Sequence, residues 1–222
     1  MPEILLPSIG TLTLWRRHAK RLIYDRIPPE DVVWRLDDAP VVDLDLPPAP
    51  AMFRLRVSER FLELSSRAIW HSSPQRFALL YDLLWRLRLA PKLASDTSDP
   101  TVAALIDMEL AVERQKMILR KQLRFENCGG ALVAQVAPKH PVLEAMAPSL
   151  AQRYHSFDWV IHAPEITLRH RDGVLKLGAG VGEITRRKPI ATPIDAPMLP
   201  GFEDQAPTCG GLSSSTPLIF HP

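Results

Sequence analysis

Apolar side chains recur at helical spacing in five stretches of this chain and alternate in short runs between them, the pattern of a mixed fold. In residues 11–26, Leu12, Trp15, Ala19, Leu22 and Ile23 share one side, while Arg16, Arg17, Lys20 and Arg21 lie largely on the other. That arrangement predicts an amphipathic helix with a basic face. Pro28-Pro29 ends it, because proline restricts the residue before it and has no N–H to donate, and Val32-Val33-Trp34 suits a short strand. A second helix is expected over residues 56–69, broken by Trp70-His71-Ser72-Ser73. Ser73 and Pro74 then supply a cap and a first helical residue, after which Phe77, Leu80, Tyr81, Leu84 and Leu87 form an apolar stripe. Leu79, Leu83 and Trp85 extend that stripe around the cylinder, which marks the central buried helix. Asp99-Pro100 repeats the cap-then-proline signal and opens a helix to residue 117, with Val102, Leu105, Met108 and Val112 inward.

Alternation follows. Residues 123–125 and 131–136 flank Asn127-Cys128-Gly129-Gly130, whose residues tolerate positive φ, so a hairpin is predicted. Residues 141–154 read as helix, with Leu143, Met146, Leu150 and Tyr154 inward and Pro148 forcing a kink or break. Residues 159–162 form a strand, and residues 166–170 and 174–177 form a second hairpin through Arg171-Asp172-Gly173. The segment 37–51, with four prolines and alternating Val/Leu and Asp, reads as a linker. Past residue 182, Pro, Gly, Ser and Thr fill 17 of 40 positions, too polar and broken a composition to offset its ordering entropy. The expected architecture is α+β: helices packed on a small antiparallel sheet built from two hairpins over residues 1–182, then a disordered tail at 183–222.

Composition narrows the function classes. A 46% hydrophobic content over 222 residues is enough for one core, and no apolar run approaches the roughly 20 residues of a membrane span. The first residues lack a basic-then-apolar export pattern, so a cytoplasmic protein without membrane contact is expected. Cys128 and Cys209 have no second thiol nearby to make a metal knuckle and read as free thiols. The formal charge of +2 does not by itself mark a nucleic-acid binder.

Ile27-Pro28-Pro29-Glu30-Asp31-Val32-Val33-Trp34, following the helix that carries Trp15-Arg16-Arg17, resembles the opening of a bacterial DNA-metabolism domain of unknown function. Ser73-Pro74-Gln75-Arg76-Phe77 and the helix after it are similar to that family's most recognisable helix. Arg114-Gln115-Lys116-Met117, Arg124-Phe125, Pro138-Lys139-His140, Ala147-Pro148, Arg153-Tyr154, Trp159, Pro164, Asp172-Gly173 and Gly178-Ala179-Gly180 follow in the family's order, covering residues 10–182. The family occurs alone or fused in front of uracil-DNA glycosylase superfamily domains, and its genes neighbour radical-SAM proteins related to spore photoproduct lyase. The resemblance therefore implies a DNA-repair context with such an enzyme as partner. Two departures stand out: Gln115 occupies a position where the family usually has His, and the family's basic, aromatic continuation is missing after residue 182.

The candidate chemistry is nucleic-acid binding. Arg114, Lys116, Arg120, Lys121 and Arg124 place five cations where a helix turns into a strand, enough for a salt-dependent grip on phosphates. Arg16, Arg17 and Lys20 form a second basic face, and both faces on one side would make a groove. Trp70 and Trp159, at element ends beside His71 and Asp158, are the candidate base-stacking residues, whereas Trp85 reads as core. The lookalike His170-Arg171-Asp172 lacks the other kinase elements, and Gly178-Ala179-Gly180-Val181-Gly182 lacks dinucleotide spacing. His155, His162 and His170 have no carboxylate at metal-motif spacing, and two cysteines cannot hold an iron–sulfur cluster, so neither metal nor cofactor is expected. The reading is an accessory or DNA-engaging repair module without a self-contained catalytic centre. The rivals are a protein-interaction scaffold and a base-processing enzyme using His140, His155 or Asp158 as acid or base.

Overall fold

The structure, a computed structural model, describes residues 2–37, 48–128 and 130–181. The predicted tail and the central part of the predicted linker lie outside the described residues. Two sheets and five helices follow one another as β1 (Glu3–Pro7), α1 (Thr11–Tyr24), β2 (Val33–Asp37), α2 (Glu59–Ala68), α3 (Arg76–Arg86), α4 (Pro100–Gln122), β3 (Glu126–Cys128), β4 (Ala131–Gln135), α5 (Leu143–Arg153), β5 (Trp159–His162), β6 (Ile166–Arg171) and β7 (Val174–Ala179). The fold class is α+β as the periodicity predicts. None of the described helices is long and apolar enough to cross a membrane.

The sheets differ in detail from the expected pair of hairpins. β1 and β2 pair in parallel as a two-stranded sheet that α1 connects, and β1 was absent from the periodicity reading. The larger sheet runs β3-β4-β5-β6-β7, and its two antiparallel parts are joined by a parallel β4–β5 pairing with α5 as the crossover. A parallel pairing cannot be closed by a tight turn, so α5 is the connection the topology requires. β3 also begins three residues later than expected. Leu123 and Phe125 are buried outside any strand, where they close the end of α4 against the sheet.

Local chemistry fixes the helix ends. Ser58 Oγ accepts the Phe61 N–H at 3.3 Å to start α2, and Asp99 Oδ1 accepts the N–H groups of Thr101 and Val102 at 3.0 and 3.1 Å to start α4. The Arg86 guanidinium reaches back from α3 onto the same Asp99 carboxylate, so the cap also ties two helices together. α4 runs five residues beyond the predicted end, because Leu119 and Leu123 keep an apolar contact every fourth residue. α5 passes through Pro148 without a break. That proline is exposed, so the Glu144 carbonyl that loses its amide partner faces water rather than apolar core.

One core joins both sheets and all the helices. Phe77, Leu80, Tyr81, Leu83, Leu84 and Leu87 make α3 its central element, as the stripe predicts. Tyr81 meets Trp34 at 5.7 Å, Trp34 meets Trp15 at 6.1 Å, and Tyr81 donates to the Ile27 carbonyl at 2.6 Å, which fastens the N-terminal unit onto α3. The α2–α4 packing carries an ionic bridge. Glu109, with a side chain only 7% exposed, accepts from Arg60 at 2.8 Å and Arg67 at 2.7 Å. At the sheet end, Gly180 is required by close approach, since a Cβ there would sit 2.0 Å from the Pro164 carbonyl oxygen. Cys128 is disulfide-bonded, which corrects the free-thiol expectation for that residue.

Candidate functional site

The five-cation cluster occupies the last turns of α4 and the two residues beyond them. Arg114, Arg120, Lys121 and Arg124 are exposed, and Arg114, Arg120 and Lys121 meet no acid among the described residues. Arg114 and Lys121, seven residues apart, lie on one face about 10.5 Å from each other. Leu110, Met117 and Ile118 lie on that same face, 56%, 56% and 40% exposed. Lys116 is different, because it is half-buried and pairs with Glu113 at 2.9 Å. Arg124 folds back to donate to the Lys121 and Leu123 carbonyls at 2.8 and 3.1 Å, capping the negative end of the helix while keeping its own charge outward.

The second basic face lies on α1. α1 packs on β1 and α3, whereas α4 packs on α2 and α3, so the two basic segments belong to different helices with α3 as common neighbour. Arg16 is exposed, Arg17 and Lys20 are half-buried, and Arg21 is spent on Asp25 at 2.6 Å.

The tryptophan assignments invert. Trp159 is fully buried and stacks on its cross-strand partner His170, with ring centroids 5.4 Å apart. β5 alternates, so Trp159 and Ile161 turn inward together, and this periodicity decides the outcome over the neighbouring Asp158. Trp70 is 5% exposed and closes the end of α2. Neither ring offers a face to a base. Trp85, expected in the core, is half-buried and carries the Arg88 guanidinium 3.4 Å from its ring centroid.

The alternative acid–base residues are scattered. His155 is exposed, His140 is buried, and Asp158 accepts the Asp172 N–H at 3.1 Å. His162 lies near Thr167, and His170 donates from Nδ1 to the Phe157 carbonyl at 2.9 Å. Among the described residues no group of three or more His, Cys, Asp or Glu is placed to hold a metal ion.

A second polar cluster, which sequence reasoning missed, surrounds the start of α3. His71 and His140 lie side by side with ring centroids 4.4 Å apart and planes tilted by 33°. The His71 Nδ1 accepts the Ser73 N–H at 3.1 Å, and the His140 Nδ1 accepts the Ser72 N–H at 3.1 Å, with Ser72 Oγ 3.0 Å from the same nitrogen. Arg76 is 2% exposed, donates from Nη1 to the Ser73 carbonyl at 2.7 Å, and lies over the Phe77 ring. Burial pushes its guanidinium down to about 10, with the charge of Glu165 pulling the other way. Burial also holds both imidazoles below their ordinary value, helped on each by the charges of Arg76 and Lys139. The signal available in sequence was the convergence of two stretches already noted: the Trp70-His71-Ser72-Ser73 break and Pro138-Lys139-His140. Ser72 against His140 resembles an activated nucleophile, but among the described residues no carboxylate orients the ring from its far edge.

No curated protein matches the chain. No solved structure matches it. A family profile described as a domain of unknown function, DUF4130, matches residues 74–199. The match opens two residues before α3, and it includes the α4 cations, Lys139 and His140, and the whole larger sheet. It covers more than half of the sequence, and the chain therefore belongs to the DUF4130 family of domains of unknown function.

Proposed function

We propose that the chain is a DNA-engaging accessory module of a repair system, with the C-terminal end of α4 on the phosphate backbone. The observation that carries this reading is the exposure of Arg114, Arg120 and Lys121 with no acid partner among the described residues. Cations left unpaired at a helix end are free to replace counterions on a polyanion, and they lose little by doing so. The buried tryptophans remove base stacking from the proposal, so recognition through charge and without sequence preference is the form it takes. Association with a uracil-DNA glycosylase or radical-SAM enzyme rests on the family resemblance.

Fluorescence anisotropy with labelled single- and double-stranded DNA tests the reading. Three phosphate contacts give log K a slope of about −2.7 against log salt, a loss of about 40-fold between 50 and 200 mM. Changing Arg120, Lys121 and Arg124 together to Glu should abolish that salt-sensitive binding. Unchanged affinity in this variant overturns the assignment. A second reading, a protein-interaction scaffold, draws on exposed Leu110, Met117 and Ile118 beside the same cations. Co-purification with a repair enzyme in the absence of DNA, lost on Met117→Asp, would favour it.

A further inference from the structure

We propose that His71, Arg76, Lys139 and His140 form a binding site for a phosphate-class oxyanion at the start of α3. The inference is independent of the α4 surface. It begins from hydrogen-bond direction. A backbone amide can only donate, so the two Nδ1 atoms that accept from Ser72 and Ser73 carry no proton. Each neutral imidazole therefore bears its proton on Nε2, and the two neighbouring rings present two N–H donors.

Among the described residues neither Nε2 has a partner, and neither belongs to the unpartnered atoms sealed from water, so both can be reached from solvent. His140 is 4% exposed, so little of its ring beyond that edge meets solvent. Arg76 adds positive charge that acts on both rings. Its Nε is buried without a hydrogen-bond partner, although burying such a donor unmet costs about 1–3 kcal/mol. Lys139 is exposed and acts electrostatically on both histidines, while Glu165 is the acid whose charge acts on Arg76. Two ring N–H donors thus lie in the field of two cationic side chains. The positive end of the α3 dipole adds to the same field.

The same directions argue against a metal ion. Ligation by Nε2 would shift each proton to Nδ1, where it would meet the Ser72 or Ser73 N–H head on. An anion needs no such shift. Terminal phosphate oxygens suit the site because several donors can share one group, and the source is either free phosphate or the 5′ end of a nucleic acid.

NMR of the histidine ring carbons tests the proposal on the whole chain. Inorganic phosphate, added to about 10 mM to saturate a millimolar site, should move the His71 and His140 resonances and leave His155 in place. Lys139→Glu, an exposed change compatible with folding, should weaken that response about fivefold. If a 5′-phosphorylated oligonucleotide produces the shifts and its 5′-hydroxyl counterpart does not, the ligand is a nucleic-acid end. If only inorganic phosphate does so, the ligand is the free ion. No movement of either ring with any of these probes, or equal movement in Lys139→Glu, overturns the site. The triple α4 variant should respond to inorganic phosphate as the parent does, which separates failure here from failure of the DNA reading.

Discussion

Glu109 offers the sharpest test of how this fold is held together. Burial pushes its carboxyl up, but hydrogen bonds from Arg60 and Arg67 outweigh burial and hold it below its ordinary value of 4.5. Glu109→Ala removes two charge-assisted contacts and leaves a gap between α2 and α4. Removing one member of a fully buried pair costs about 3–5 kcal/mol, because the survivor is stranded without water. Here the survivors are 31% and 45% exposed, so both guanidiniums regain solvent. The expected loss is about 2–3 kcal/mol, lowering Tm by about 4–12 °C. Glu109→Met fills the gap without a charge and should cost about 1 kcal/mol or less. Urea denaturation, compared at constant m, measures both variants. If Met proves as costly as Ala, the ion pairs themselves carry the stability and the argument from solvent access to Arg60 and Arg67 fails. The sign with pH follows from the depressed pKa. The Glu109 contribution is present above the unfolded value and is lost as pH falls through the folded one, so parent and Ala variant should converge in acid.

His71 and His140 are both held below 6.5, so their contribution is full above that value and declines as pH falls below it. Urea midpoints should drop between about pH 6.5 and 5, before carboxylates titrate, and a flat profile there would contradict the Nδ1 assignment. Glu144 behaves oppositely. It accepts the Gly10 N–H at 3.0 and 3.2 Å, and burial raises its pKa, so its contribution is full below the unfolded value and is lost as pH rises through the folded one. Glu144→Gln should therefore equal the parent near pH 4 and match or exceed it at pH 7, whereas Glu144→Ala should lose about 1 kcal/mol at either; a Gln variant weaker at pH 7 would contradict this.

The helices were legible because each needs only its own stripe and caps. Phe77 to Leu87 at helical spacing and Asp99 before Pro100 required no distant information. Pairing partners were not legible. β1 finds β2 across about thirty residues, and β4 lies parallel to β5 across α5, a register that local alternation does not contain. For the sites, charge told where cations cluster but not which are spent: Lys116 on Glu113 and Arg21 on Asp25 look the same in sequence as Arg120 and Lys121. The donor cluster was hidden for a related reason, since His71 and His140 are 69 positions apart and become neighbours only through folding.

The contact of Tyr81 with Trp34 and Ile27 has a consequence for dissecting the chain. A fragment beginning at residue 74, where the family match opens, would retain α3 but strip one flank of it. Its phenol hydroxyl would lose the Ile27 acceptor, and an aromatic wall now shielded by Trp34 would become sticky surface. Insolubility of such a fragment would thus reflect a severed neighbour, not a defect in the matched region. Experiments that seek activity in the matched region gain by keeping the first thirty-seven residues attached.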